Sequence, residues 1–387
     1  PAEPQFHRWI SGDMIGLPYP DHCNVLEAMF PGYSARQLFQ PHQDDPSPTS
    51  DKTGTTIVVP EPTETYPSRD ADRLTDLVQP WELADVLTHA TISGITLDHI
   101  ERAVFSYVTR YPCTPPAALL PAVSGHLPRL YDALNRPQPL QMRRRAVTLL
   151  GVLSGLAGNL WLDLGREDQA AGFFDIGELA GQEAEDPDLT AWVLATRSIG
   201  PFFAGQYRNA ADLLARAEDA AARRSSPRRR AWVTALRARA AAAVGDHHLS
   251  RTALERAHQH MAAVSEPPSG TEFFDEARLD GLAGTAYLLM TDTHQAVPLL
   301  TQARDRRASA DAKGRALVTL DLAECHAVDH EPEEAARLAV HALDDVDGSI
   351  VAPIVIRARR LLAGLHQWSE LAAVRELDNR LAELSRG

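Results

Sequence analysis

Cysteine is scarce in this sequence. Only three cysteines occur among its 387 residues, at Cys23, Cys113 and Cys325, and their spacing is not that of metal ligands. A disulfide framework needs more cysteines than this, and disulfides persist mainly in oxidising compartments. The scarcity therefore excludes a disulfide-stabilised secreted domain and favours a cytoplasmic location.

Long apolar runs are also missing. A helix that crosses a bilayer needs about 20 mostly apolar residues, and the nearest stretch, residues 147–164, is interrupted by Ser154, Asn159 and Asp163. The first residues, PAEPQFHRWI, lack the charged start and apolar stretch of a secretion signal. We therefore expect no membrane segment. Because the chain begins at Pro1 without Met, we also expect the natural chain to extend upstream.

Positive charge is in short supply. Lys and Arg number 38 against 52 Asp and Glu, which gives a formal net charge of -14. Because binding to phosphates needs clustered Lys and Arg, any contact with nucleic acid has to come from a local patch. The sequence also lacks the GxSxG, Walker-type, HExxH and dinucleotide-binding motifs. We therefore expect a protein that is not an enzyme and that uses no cofactor.

Histidines form one conspicuous group, at His247, His248, His258 and His260. A metal site is one interpretation of this group. However, residues two apart on a helix do not share a face, and no Cys or carboxylate accompanies them at firm ligand spacing. A surface cluster is favoured, and no metal site is predicted.

Composition divides the chain into four segments. Residues 1–40 are predicted to form a small helical module. Residues 41–80 are rich in Pro, Ser, Thr and Asp and are predicted to be a flexible linker, because they bury too little apolar surface to offset their ordering entropy. Docking of residues 57–59 as a short strand is the alternative. Residues 81–142 are predicted as a helical capping segment, and residues 143–387 as a repeat domain.

Internal repetition is the strongest pattern in the sequence. Gly165, Gly205 and Gly245 lie 40 residues apart, and Trp192 and Trp232 share the same offset. Each of these glycines follows an apolar helical stretch and precedes an amphipathic one. Fixed periods of this size are typical of stacked helix pairs such as tetratricopeptide repeats. Weaker copies continue towards the end of the chain, which makes about six helix pairs.

The residue types at each repeat position explain the pattern. Glycine after a helix accepts the left-handed cap conformation, and prolines such as Pro187 and Pro227 suit the first turn of a helix. A single repeat cannot bury its own apolar face, so neighbours stack into a superhelix with a concave groove. The predicted fold is all-α: a tetratricopeptide-like superhelix preceded by a partial helix-turn-helix module. A generic helical bundle is the alternative.

Candidate binding residues lie on the first helix of each pair, the helix that lines the groove in such arrays. Arg197 and Arg237 occupy equivalent positions, and arginine pairs well with carboxylates and phosphates. We predict that the groove captures an acidic small molecule or a peptide terminus; the alternative is that the tryptophans are core and the arginines pair with nearby carboxylates. The predicted groove residues are Asn159, Trp192, Arg197, Trp232, Arg237, Asp280, Tyr287 and Asp321.

The most basic stretch is RRSSPRRRAW, residues 223–232. Contact with DNA phosphates or an acidic partner is one interpretation. A solvated turn between two helices is favoured, since cations are stabilised near a helix C-terminus.

The N-terminal residues FHRWISGDMIGLPYPDHCNVLEAMFPGYSARQLF resemble the second half of the Cro/C1-type helix-turn-helix domain. An Arg-Trp pair, a glycine turn, a proline-bearing loop and a Leu-x-x-x-Phe helix follow one another in the order of that family. The resemblance implies a recognition helix in the DNA major groove. The family's first two helices are absent, which leaves the module incomplete. The implied DNA-binding residues are Glu3, Gln5, His7 and Arg8.

The full chain is similar to a larger group, the actinobacterial transcriptional regulators that join such a helix-turn-helix to a tetratricopeptide-like domain. WELADVLTHATIS, HIERAVFSYVTRYP and FFDEARLDGLAGTAYLL carry this resemblance. It implies a regulator that binds operator DNA through its completed N-terminal module, senses a small molecule or peptide, and forms a homodimer. The alternative is a tetratricopeptide-like interaction scaffold that does not bind DNA.

Overall fold

The computed structural model describes residues 92–346 and 350–384. By backbone contacts the chain splits into two units, Pro1–Thr75 and Asp76–Gly387, and all described residues belong to the second. Three predicted features lie outside the described residues. They are the helix-turn-helix with Glu3, Gln5, His7 and Arg8, the linker, and residues 81–91 of the capping segment.

Three helices precede the array: α1 (Gly94–Arg110), α2 (Pro116–Ser124) and α3 (Leu127–Leu134). The α1 helix begins after Ser93, whose hydroxyl accepts a hydrogen bond from the backbone N–H of Thr96 at 3.2 Å. This N-cap satisfies one of the donors left free at a helix start. All three helices pack against the first helix of the array and cover its apolar side.

Helices from residue 140 onward pack as six consecutive pairs within the described residues. The second pair has a broken first helix, α6 with the short α7. A 3-10 turn at His366–Trp368 joins the last two helices. The helices are α4 (Leu140–Asp163), α5 (Glu167–Glu183), α6 (Pro187–Arg197), α7 (Ile199–Phe203), α8 (Tyr207–Arg224), α9 (Pro227–Ala243), α10 (His247–Ala262), α11 (Glu276–Leu289), α12 (Thr293–Arg306), α13 (Ala312–Val328), α14 (Pro332–Asp344), α15 (Ala352–Gly364) and α16 (Ala372–Leu384).

The described residues are helical and contain no strand, so the all-α prediction and the consecutive helix pairs are confirmed. The glycine caps are also confirmed: Gly165, Gly205 and Gly245 have φ of 71°, 76° and 85°. In later pairs the same turn is made by Thr291 and His330, with φ of 59° and 62°. Glycine is the easiest residue in this conformation, but the packed helices on either side impose it on other residues too.

The α4 helix is long and apolar enough to cross a membrane, and it is the one such helix found among the described residues. However, 72% of its most apolar window is buried inside the protein. It contacts α1, α2, α3, α5, α6 and α15. Packing on nearly every side therefore accounts for its apolar composition.

The array closes on itself. The α15 helix contacts both α4 and α7, although about 190 residues separate the end of α4 from the start of α15. Lys313 near the start of α13 donates from Nζ to Oδ1 and Oδ2 of Asp163, the last residue of α4, at 2.6 and 2.5 Å. Arg360 on α15 donates a hydrogen bond to the hydroxyl of Tyr207 at the start of α8. These contacts bring the last helix pairs of the array against the first ones.

Candidate functional site

The concave side of the array holds a partly open cavity of about 270 Å³. Its walls come from the first helices of all six pairs, with α7 and the loop between α10 and α11. On α9, for example, the lining residues are Trp232, Leu236 and Arg239. This i, i+4, i+7 spacing is one face of a helix, and the other first helices present the equivalent face.

Tryptophans form one wall of the cavity. Trp192 on α6 packs directly over the bare backbone of α4 at Gly155, where an added Cβ would lie 2.5 Å from Cζ3 of the indole. Any larger residue at position 155 would therefore displace Trp192. Trp232 on α9 meets the ring of Phe273 edge to face, with centroids 5.4 Å apart, a favourable arrangement of two aromatic rings.

The loop of residues 263–275 between α10 and α11 covers one side of the cavity, and Thr271, Phe273 and Phe274 of this loop line it. Arginines from the basic run hold the loop in place. Arg228 donates to the carbonyl oxygen of Phe274 at 2.7 Å and to that of Glu266 at 2.6 Å.

The prediction of a solvated turn for the basic run is wrong for Arg229. This residue is 3% exposed, and its guanidinium donates to the hydroxyl of Thr271 at 2.5 Å and to Oδ1 of Asp188 at 3.3 Å. Because Pro227 starts α9, Arg229 falls in the first turn, on the side facing the loop. Arg228 and Arg229 thus hold the loop in place, whereas Arg223 and Arg224 are exposed.

Three buried carboxylates form ion pairs around the cavity. Asp163 accepts hydrogen bonds from Lys313 and, at 2.6 Å, from the hydroxyl of Tyr111. Burial and then the charge of Asp163 raise the pKa of Tyr111 well above its usual value, so its phenol stays protonated and remains a donor. Asp311 accepts from Arg307 at 2.7 Å and from Arg278 at 3.4 Å. Each carboxylate therefore holds two structural elements together.

The third carboxylate, that of Asp321, joins α13 and α15 through an ion pair. The guanidinium of Arg357 contacts Oδ1 of Asp321, and the hydroxyl of Thr285 donates to Oδ2 of Asp321 at 2.6 Å. Burial, the charge of Arg239 and the charge of Arg360 lower the pKa of Arg357 to about 9. Arg357 is therefore still a cation at pH 7.

Arg239 differs from the other cations of the lining. It is 7% exposed, forms no ion pair within the described residues, and its Nε has no hydrogen-bond partner there. Its guanidinium carbon lies 3.9 Å from the ring centroid of Phe202, a cation–π contact. Burial lowers the pKa of Arg239 to about 10, so this group also remains charged at pH 7.

Four of the eight predicted groove residues line this cavity. They are Asn159 on α4, Trp192 on α6, Trp232 on α9 and Asp321 on α13. Trp192 and Trp232 are 3% and 5% exposed, so they are at once core residues and cavity wall. Their part in binding stays a prediction.

The other four are not part of the lining. Arg197 pairs with Asp175 of α5 at 2.7 Å, and Arg237 pairs with Glu218 of α8 at 3.1 Å. A residue five positions after each tryptophan lies about 140° around the helix from it. These arginines therefore point at the second helices, as in the alternative that pairs them with neighbouring carboxylates.

Asp280 and Tyr287 are likewise off the lining face of α11. Asp280 pairs with Arg306 of α12 at 3.4 Å, and Tyr287 packs between two apolar clusters. Both lie two positions from lining residues of the same helix, Arg278 and Thr285, and two positions turn the side chain about 200° around a helix.

Several residues that line the cavity were not predicted from the sequence. The 40-residue register contains a signal for one of them, because Arg239 follows Trp232 by seven positions, which returns to the same helix face. Nothing in the local sequence distinguishes Arg278, Arg307, Lys313 or Arg357 from surface cations, because their burial depends on the closure of the array. Among the described residues, no group of three His, Cys, Asp or Glu side chains is placed to hold a metal ion.

No known protein family matches this sequence, and no curated protein matches it. Among solved structures, the chain is similar to one described as the crystal structure of Rap protein complexed with competence and sporulation factor. The TM-score is 0.40 at 11% sequence identity, over 75% of this chain and 98% of that chain. A similarity this distant supports no conclusion about function, and the fold assignment rests on the helices themselves.

Proposed function

We propose that the helix pairs form a tetratricopeptide-like binding domain whose ligand occupies the central cavity. The observation that supports this is the partly enclosed cavity itself, with Trp192, Trp232 and Phe203 on its walls. Ligand sites are typically concave, mostly apolar and furnished with a few polar groups. The volume of about 270 Å³ suits a small molecule or the side chains of a short peptide.

Binding suits this lining better than catalysis. The buried carboxylates Asp163, Asp311 and Asp321 are all held in ion pairs. A general base has to be free to take up a proton from its substrate, whereas these groups join helices. We therefore propose that the domain senses its ligand and does not transform it. The cytoplasmic location expected from the few cysteines belongs to the same proposal.

A titration with the neutral fluorescent probe N-phenyl-1-naphthylamine tests the proposed cavity. The full chain should bind one probe molecule saturably. Leu282→Trp places an indole in the cavity from α11 and should weaken binding at least tenfold. Leu289→Trp changes the same residue type seven positions later on the same helix, outside the lining, and should leave affinity within twofold. Equal affinity in both variants, or no saturable binding to the unaltered chain, rejects the proposal.

A second proposal concerns residues 1–40. The resemblance of FHRWISGDMIGLPYP to the end of a Cro/C1-type domain supports a DNA-binding regulator, in which the repeat domain is the sensor and mediates dimerisation. The experiment is selection of DNA from a random pool with the chain fused behind the first two helices of a Cro/C1-type domain, followed by a mobility-shift titration. A specific site bound no more tightly than random DNA leaves the interaction scaffold as the function.

A further inference from the structure

The cations of the cavity lining are matched to carboxylates with one exception. Lys313 pairs with Asp163, Arg307 with Asp311, Arg278 with Asp275 and Asp311, and Arg357 with Asp321. Arg239 has no carboxylate within the described residues. The positive charge left over on this part of the lining is therefore concentrated at one guanidinium.

Arg239 is unpartnered as a hydrogen-bond donor as well. A guanidinium carries five N–H donors and no acceptor, and no protein acceptor among the described residues takes one from Arg239. The ring of Phe202, 3.9 Å from the guanidinium carbon, satisfies one face of the group but none of its edge donors. Those donors are directed along the plane of the guanidinium, where a planar anion binds best.

A buried guanidinium without a carboxylate or a hydrogen-bond acceptor is energetically unfavourable. A buried cation without a partner loses its hydration and recovers little in return. Such groups are common at functional sites, where a ligand supplies the missing charge. A purely structural arginine at this position would be expected to carry an ion pair, as Arg197 and Arg237 do on the same array.

A second guanidinium, that of Arg357, lines the same cavity as Arg239. The charge of Arg239 is one of the causes that lower the pKa of Arg357. Arg357 contacts Oδ1 of Asp321 through Nη2, so its charge is partly balanced. An anion in the cavity would accept hydrogen bonds from Arg239, and the charge of Arg357 would add to its attraction.

We propose that Arg239, with Arg357 in the same cavity lining, binds the anionic group of the cavity ligand, a carboxylate or a phosphate monoester. The ligand's apolar body then lies against Trp192, Trp232 and Phe203. This inference rests on the proposed function, because it needs an occupied cavity. It specifies the ligand class as an amphipathic acid with a compact apolar body.

Two fluorescent probes separate the inference from the proposed function. 1-Anilinonaphthalene-8-sulfonate carries an anionic group on nearly the same apolar body as neutral N-phenyl-1-naphthylamine. Arg239→Met should weaken binding of the sulfonate at least tenfold and leave that of the neutral probe within twofold. Arg239→Lys should restore part of the loss. Arg237→Met, two residues away on α9 but outside the lining, should change neither affinity.

Competition identifies the anion. Dodecanoate and dodecyl phosphate are compared with dodecanol as displacers of the neutral probe. We expect at least one of the two acids to displace it tenfold better than the alcohol, and this advantage to vanish in Arg239→Met. The acid that displaces the probe at the lower concentration shows whether the site prefers a carboxylate or a phosphate.

The inference is overturned if the neutral probe binds but the sulfonate has the same affinity for Arg239→Met and the unaltered chain. It is equally overturned if dodecanol displaces the probe as well as both acids do. Absence of binding by the neutral probe rejects the proposed cavity instead. Far-ultraviolet circular dichroism of each variant confirms that the helices are intact.

Discussion

Nζ of Lys313 lies 2.5 Å from Oδ2 of Asp163, although 150 positions separate the two residues in the chain. Asp163 ends the first helix of the array, and Lys313 is the second residue of α13, the first helix of the fifth pair. Both side chains are largely buried, at 5% and 17% exposure. This ion pair joins the first helix pair of the array to the fifth, and both of its residues line the cavity.

Removal of the lysine should weaken the closed array. Lys313→Met leaves the buried carboxylate of Asp163 with Tyr111 as its remaining donor, and loss of one partner of a buried pair costs about 3 kcal/mol. Urea denaturation measures the loss in the free energy of unfolding. Arg256→Met breaks an exposed pair with Glu218 and should cost at most about 1 kcal/mol. Equal losses of unfolding free energy in the two variants would show that the Lys313–Asp163 pair stabilises the protein no more than an exposed ion pair does.

Thr291 should be improved by glycine. Its φ of 59° is unfavourable for a β-branched residue, and the left-handed conformation costs a non-glycine residue roughly 1 to 2 kcal/mol. Thr291→Gly should therefore raise the free energy of unfolding by roughly 1 kcal/mol, after allowance for the greater entropy of glycine in the unfolded chain.

The reverse change at Gly205 is the matched control. Its φ is 76°, and an added Cβ would meet no atom within 4 Å, so Gly205→Thr tests backbone strain alone. It should lower stability by about 1 to 2 kcal/mol. The explanation fails if both substitutions shift the denaturation midpoint in the same direction.

The capping helices should lose stability in mild acid. Burial, then the charges of His99 and Arg129, lower the pKa of His126 from its usual value of 6.5, and burial, then Arg102 and Arg129, lower that of His99. The unfolded chain then binds more protons than the folded one just below pH 6.5. Stability therefore falls as the pH drops through this range.

His126→Gln should reduce the difference in unfolding free energy between pH 7.5 and pH 5.5. Glutamine keeps a polar group near the hydroxyl of Tyr107, which lies 2.9 Å from Nε2 of His126. His248→Gln, at an exposed position, is the control and should preserve the pH dependence of the unaltered chain. A pH dependence unchanged by His126→Gln would contradict the assignment.

Arg229 should control the loop that covers the cavity. Arg229→Met removes the donors to Thr271 and Asp188, and hydrogen bonds from a charged group are worth about 2 kcal/mol each at most in such a site. Hydrogen–deuterium exchange in residues 263–275 should become faster. Arg223→Met, in the exposed part of the same basic run, should leave this exchange unchanged. Slow exchange in both variants would mean that the loop is held by its aromatic contacts.

Arg239→Met should fold at least as stably as the unaltered chain. Replacing an unpaired buried charge with an apolar side chain of similar length is neutral or stabilising, with a gain on the order of 1 kcal/mol. Thermal unfolding in the absence of any ligand measures it. A drop in the free energy of unfolding of more than about 1 kcal/mol would show that Arg239 has a structural role.

The repeat architecture could be read from the sequence because its causes are local. The period of Gly165, Gly205 and Gly245 records where each helix has to end, and the apolar spacing between them records one buried helix face. Such features depend on neighbours within about 40 residues. For the same reason the sequence could assign Trp192 and Trp232 to the first helices of their pairs.

The orientation of a side chain on its helix was harder to predict. Arg197 and Arg237 repeat as faithfully as the tryptophans do, yet they pair with Asp175 and Glu218 on the second helices. A shared register shows that two residues have equivalent environments. It does not show which of two neighbouring helices they face, because an error of one residue turns the side chain by about 100°.

By itself, the sequence determined that the described part of the chain is helical, that helices pair with a period of about 40 residues, and that left-handed turns end the first helices. The tertiary structure alone decided that α15 returns to α4, that Lys313 meets Asp163, and that Arg239 is left without a partner among the described residues. The reason is physical: helix formation and capping follow from nearest neighbours. The closure of a superhelix depends on small rotations between successive pairs that add up over the whole array.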